Sequence, residues 1–246
     1  RQDGRDPETR QLLGRAYLAQ GQEPLAVIEL QKAIELQPDL ASPYVALGEA
    51  EFRRGYRDRA LDYVAKALSR NMSEISAYLL SARVKQDAGN TPGAEEDLQT
   101  AVRIAPKAWM PAKRLSDLLR STGRPELAAK ALEPFTSGMW TRGDASMMLA
   151  DLVREGAAPG PAISALEQSH KAKPDDDALL TRLVELALEH PTGPVAPDKT
   201  LAYADTLYQR TRSDRTPVLI LFARAVANQG DQQRAREILE AAAVEP

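Results

Sequence analysis

The feature that most constrains this chain is a period. Gly21 is followed at intervals of 34 residues by Gly55, Gly89 and Gly123, and Ala26 by Ala60, Ala94 and Ala128. Self-similarity on this scale means that each unit has an apolar face it cannot bury alone, so the units must stack on one another. The chain of 246 residues can therefore grow without building one large central core.

With Pro7 taken as position 1, units begin at Pro7, Ala41, Ile75, Trp109 and Gly143 without slippage. Position 8 is small throughout: Gly14, Gly48, Ala82, Ser116 and Ala150. Position 20 is Ala26, Ala60, Ala94, Ala128 and Ala162, and position 24 is Leu30, Val64, Leu98, Leu132 and Leu166. Two helices can approach to about 8–10 Å only where the side chains at their crossing are small, so Gly14 facing Ala26 marks a crossing. Gly21, Gly55, Gly89 and Gly123 at position 15 suit a left-handed turn between two helices, and Pro38, Pro106 and Pro174 at position 32 stop the second. The composition agrees, with 43% hydrophobic residues of which few are aromatic, and 27% charged.

This pattern resembles the tetratricopeptide repeat, whose paired helices carry small residues at 8, 20 and 27, larger apolar ones at 4, 7, 11 and 24, and often proline at 32. The resemblance implies an all-α, right-handed superhelical solenoid of about seven antiparallel helix-turn-helix repeats, spanning 7–40, 41–74, 75–108, 109–142, 143–176, 177–215 and 216–246 within a single array over 1–246. The sixth unit is lengthened by "PTGPVAP", and the phase resumes at Thr216, placing Phe222, Ala223, Ala235 and Leu239 in register. Three departures are expected to alter local geometry: Arg10 at apolar position 4, Pro134 truncating the second helix of the fourth unit, and Ala157 where glycine belongs in the fifth.

The formal net charge of -3 offers no cationic field for nucleic acid or an anionic membrane. The absence of cysteine excludes disulfides and thiolate chemistry. No apolar run reaches the roughly 18–20 residues needed to span a bilayer. The chain starts with "RQDGRDPETR" and ends with "AAAVEP", without a polar capping helix, which reads as a piece of a longer protein or as a surface for self-association through the C-terminal repeat.

No catalytic, metal or cofactor motif stands out. His170 and His190 have no second ligand at helical spacing and read as surface positions near helix ends. The acids Asp175, Asp176 and Asp177 lack the alternation of a calcium loop and fit the start of a helix instead. Trp109, Met110, Met139, Trp140, Met147 and Met148 gather where the fourth unit meets the fifth, as gap filler or as an apolar docking patch.

The resemblance places positions 2, 5, 9, 12 and 13 on the concave side. The candidate groove residues are Arg15, Leu18, Val45, Glu49, Phe52, Leu79, Arg83, Lys113, Asp117 and Arg120, a mixed surface with apolar anchors and a basic region. The clamp with which some relatives hold acidic chaperone tails is missing, since Gln11 with Arg15, Val45 with Glu49 and Leu79 with Arg83 occupy its positions. The expected function is a non-enzymatic scaffold that binds a protein or peptide segment, without cofactor. Two other readings stay open: a regulatory or targeting arm of an enzyme whose catalytic domain lies elsewhere, and a bacterial envelope scaffold for polysaccharide export or secretion. The compartment stays open between bacterial periplasm or envelope and cytoplasm.

Overall fold

The structure is a computed structural model that describes residues 6–138, 141–211 and 215–244, with side chains described up to 240 apart from that of residue 215. Among them it contains fourteen α-helices and no strand. The chain forms two compact units, Arg1–Leu115 and Ser116–Pro246.

In the first unit, α1 (Pro7–Ala19) pairs with α2 (Glu23–Leu36), α3 (Ala41–Arg53) with α4 (Arg57–Arg70), and α5 (Ile75–Asp87) with α6 (Thr91–Ile104), before α7 (Trp109–Ser121) begins. Every one of these hairpins starts on the residue that the period predicts. At the crossings the fit leaves no spare volume. A methyl group added to Gly14 would lie 2.6 Å from the Leu30 Cγ, and one added to Gly48 would lie 2.9 Å from the Leu80 Cδ2 and 3.1 Å from the Ala60 carbonyl. Ala26 and Ala60 are wholly buried opposite these sites, and Ala94 is wholly buried at the same position of the third hairpin. Leu18, Leu30, Leu47 and Ala50 form a core between the first and second hairpins, and Tyr44, Val64, Leu80 and Val84 one between the second and third. At about 25 cal/mol per Å² of apolar surface removed from water, each junction contributes stability that no hairpin has alone.

The ends of the helices are closed by specific hydrogen bonds. Asp6 accepts from the Thr9 amide at 2.8 Å, and Asn90 from the Gly93 amide at 3.0 Å, so a side chain satisfies a free donor at each helix start. At the other end Gly21, Gly55, Gly89 and Gly123 have φ between 71° and 86°. The amides that follow, on Gln22, Tyr56, Asn90 and Arg124, donate back five residues to Tyr17, Glu51, Lys85 and Leu119 at 2.8–2.9 Å. This is the Schellman closure, and it turns the chain in the same way four times.

The second unit holds α8 (Pro125–Leu132), a 3-10 turn at Glu133–Phe135, and then α9 (Gly143–Arg154), α10 (Pro159–Ala172), α11 (Asp177–Glu189), α12 (Pro197–Arg210), α13 (Arg215–Asn228) and α14 (Gln232–Val244). Pro134 ends α8 after eight residues, and the 3-10 turn carries Phe135 into the core, where it is 2% exposed. In the fifth repeat α9 stops one residue early. Gly156, not position 15, then takes the left-handed conformation (φ 110°), and Ala157 donates to the Leu152 carbonyl at 3.0 Å. One extra residue, Ala158, restores the phase before α10. The core of α11 to α14 is built on Leu180, Val184, Leu207, Phe222 and Val226, with Tyr208 stacked on Phe222 at 5.3 Å.

Two expectations need correction. His170 is not a surface residue: it is buried on α10 with its ring edge-on to Tyr203 at 5.4 Å, because position 28 faces α12. Leu239, expected in the core at position 24, is 43% exposed, while its neighbour Ile238 packs inward. Of the tryptophan and methionine cluster, Met139 and Trp140 lie outside the described residues. Met110 is exposed, and Met147 and Met148 are half-buried.

Candidate functional site

The inward helices of the first unit present α1, α3 and α5 side by side, with the first turns of α7 beside them. Because each begins in the same phase, residues one period apart fall into rows across the helices. These rows line a groove of about 380 Å³. From α1 come Gln11, Arg15 and Leu18; from α3, Ser42, Val45, Glu49 and Arg53; from α5, Ser76, Leu79 and Arg83; and from α7, Arg114.

Val45 and Leu79 form the apolar floor, while Leu18 at 5% exposure belongs mainly to the core beneath. Glu49 is the one carboxylate of the lining. It receives the Arg53 Nε at 3.0 Å and is paired with Arg83, which lies one full period further on. Arg83 also sits over the Phe52 ring, with 4.6 Å between the guanidinium carbon and the ring centroid. Arg53 has a second task, donating to the Leu18 carbonyl of the preceding repeat at 2.5 Å. These pairs are partly exposed and stabilise by roughly 0–1 kcal/mol each, so their main effect is to hold the side chains in place. Ser42 donates to Gln11 at 2.8 Å, and Ser76 to Glu74, so neither hydroxyl is directed at a histidine.

Six of the ten residues predicted from the sequence are brought together here: Arg15, Leu18, Val45, Glu49, Leu79 and Arg83. Phe52 lies below the lining as the platform for Arg83. Lys113 does not line the groove. Asp117 and Arg120 belong to the second unit, where Arg120 donates its Nε to Glu155 at 2.7 Å. The Glu155 carboxylate beside it raises the affinity of the Arg120 guanidinium for its proton still further. Sequence reasoning left out Ser42, Ser76 and Arg53, although their positions 2 and 13 were sufficient to find them. Arg114 stands at position 6 and reaches the groove by the length of its side chain.

The second unit has its own polar clusters. Arg182 is 5% exposed and spans Asp151 at 3.3 Å, Glu185 at 3.2 Å and the Ala150 carbonyl at 3.0 Å, which satisfies a buried charge. Glu167 accepts from the Tyr203 hydroxyl at 3.0 Å and pairs with Lys171 at 3.3 Å. Burial, with the Glu167 carboxylate second, pushes the Tyr203 hydroxyl up to about 12. Asp176 caps α11 by accepting from the Leu179 amide at 3.2 Å, and Asp177 faces Arg210 at 3.6 Å. The acidic run is thus part of a helix start. Among the described residues no group of histidine and carboxylate side chains could hold a metal ion, and no helix is long and apolar enough to cross a membrane.

A family model described as TPR repeat matches residues 14–55, the segment that contains α2, α3 and the turn between them. Residues 14–55 are similar to the tetratricopeptide repeat, and the helical hairpins outside them are built on the same period. The chain also resembles several solved structures. Pseudomonas aeruginosa PilF is 17% identical, with 90% of this chain and 96% of that chain covered and a TM-score of 0.56. YrrB, described as a TPR protein with an unusual peptide-binding site, is 18% identical over 86% of this chain and 97% of its own (TM-score 0.49). TTC0263, a TPR protein of Thermus thermophilus, is 16% identical over 74% and 99% (TM-score 0.48). No curated protein sequence matches the chain.

Proposed function

We propose that this tetratricopeptide array is a non-enzymatic binding scaffold, and that the groove over α1, α3 and α5 holds an extended segment of a partner protein. The observation that carries this reading is the juxtaposition of an apolar floor, Val45 and Leu79, with flanking guanidinium groups along one continuous row of inward positions. An extended segment gains affinity from apolar anchors in shallow pockets and orientation from a few charged contacts. The helices beneath are fixed by close crossings at Gly14 and Gly48, so the groove is organised before anything binds and little ordering cost falls on the protein. The hydroxyls present are held by Gln11 and Glu74 and not by a histidine, which supports recognition over nucleophilic chemistry.

A random dodecapeptide library displayed on phage, panned on the folded chain, tests the reading. Clones that bind should be lost when the same chain carries Val45→Asp with Leu79→Asp. If every clone survives that double substitution on a chain of unchanged helicity, the groove is not the binding face.

A further inference from the structure

We infer that the segment held in this groove is acidic, with carboxylates on either side of an apolar residue, and that Glu49 is the groove's own competitor for it. The inference rests on the groove reading above and adds the chemistry of the occupant. Four arginines line the groove against one carboxylate, in a chain whose formal net charge is -3. The local sign is therefore opposite to that of the molecule, which attracts acidic segments and sets basic ones aside.

The arginines differ in what they already hold. Arg53 and Arg83 share Glu49. Arg15 is exposed on α1 and has no carboxylate partner among the described residues. The Arg114 Nε is buried without any hydrogen-bond acceptor, and so is the Arg83 Nε. Guanidinium N–H groups that have lost water and gained no acceptor are rare in folded proteins, and an incoming carboxylate satisfies them with charge-assisted bonds. The apolar floor lies between Arg15 on one side and Arg83 and Arg114 on the other.

The spacing follows from the helices. Neighbouring helices lie about 8–10 Å apart, and an extended chain advances about 3.3 Å per residue, so crossing one helix takes about three residues. From α1 to α5 the ligand's acids are then about six residues apart, with an apolar side chain midway over Val45. Glu49 stands within that path and already holds Arg83, one of the guanidinium groups that the ligand needs, together with Arg53. It repels a ligand carboxylate and must give up Arg83 to admit one. Removing its charge should therefore strengthen binding, a sign opposite to that of losing an ordinary contact.

The experiment takes the library clones that depend on Val45 and Leu79, reads their composition, and measures the leading peptide by fluorescence anisotropy against the full chain and its variants. The expected outcome is enrichment in aspartate and glutamate about the stated spacing. Arg15→Gln with Arg114→Gln should weaken binding by about tenfold or more, and Glu49→Gln should tighten it by about threefold or more. Arg15→Gln alone, at an exposed side chain with no carboxylate partner among the described residues, should weaken binding with no change in melting, which separates recognition from folding. Groove-dependent clones that are neutral or basic would overturn the acidic assignment while leaving the groove reading intact. An acidic peptide indifferent to Arg15 and Arg114, or weakened by Glu49→Gln, would also overturn it. If no clone depends on Val45 and Leu79, the groove reading has failed and this inference with it.

Discussion

At the scale of single residues, the fold depends on atoms that are absent. Gly14 and Gly48 leave no room for a methyl group, and Ala26, Ala60 and Ala94 are wholly buried. Ala60→Leu should therefore force α3 and α4 apart and destabilise the first unit by about 1–3 kcal/mol, seen as a lower Tm with helicity retained below it. An unchanged Tm would mean that Ala60 does not lie at a close crossing. His170 makes a second residue-scale prediction. Burial, with Arg210 as the next cause, holds its imidazole below the ordinary value of 6.5. The unfolded chain then takes up the proton first as pH falls. The stability contributed by the neutral, buried ring is complete above that ordinary value and is lost as pH drops through it toward the folded one. Urea midpoints should fall between pH 7.5 and pH 5.5, and His170→Gln should remove much of the slope. Equal slopes in both proteins would show that carboxylates and not His170 set the dependence.

At the scale of elements, the turns show what a fixed period reveals and what it hides. Helix starts at Ala41, Ile75, Trp109 and Gly143 were legible because small and apolar residues recur in phase and the core enforces that phase. The turn of the fifth repeat was not. Ala157 stands at the glycine position, but α9 shortens by one residue so that Gly156 takes the left-handed conformation instead. A position count cannot report such a shift, because the Schellman closure needs a positive φ somewhere near the end of the helix and not at a fixed number. Gly156→Ala should cost about 1–2 kcal/mol, since alanine pays a steric penalty at φ 110°. Gly160→Ala, inside α10 with no atom within 4 Å of its new methyl group, should be neutral or stabilise by up to about 1 kcal/mol. Thermal melts of the pair check this, and equal effects of the two substitutions would contradict it. The burial of His170 and Arg182 was hidden for a related reason. Each is a single polar residue on an otherwise buried face, and only the partner helix shows that its polar atoms face inward.

At the scale of the whole molecule, scaffold and site occupy different positions of the same period. Positions 8, 20 and 24 are spent on packing, which leaves 2, 5, 9, 12 and 13 on the inner helices to differ from repeat to repeat. This is why the repeat type could be read from the sequence and the groove only in part. Row membership follows from counting, and Arg15, Val45, Glu49, Leu79 and Arg83, which share those rows, lie together along one cavity. The linkage among them depends on long side chains whose reach is not fixed by position. Glu49 bridging Arg53 and Arg83, Arg83 lying on Phe52, and Arg114 entering from position 6 are of this kind. Lys113, in register with Val45 and Leu79, does not line this groove, and Asp117 and Arg120 belong to the second unit.

The proposed function requires a partner segment to bind on the inner face of α1, α3 and α5. Methyl NMR of the chain, labelled at isoleucine, leucine and valine and titrated with a groove-dependent peptide, tests it directly. Binding in the groove predicts saturable shifts at Val45 and Leu79, with Leu25 and Leu36, both exposed on α2, unmoved. Shifts centred on Leu25 and Leu36, with Val45 and Leu79 unperturbed at saturation, would contradict it.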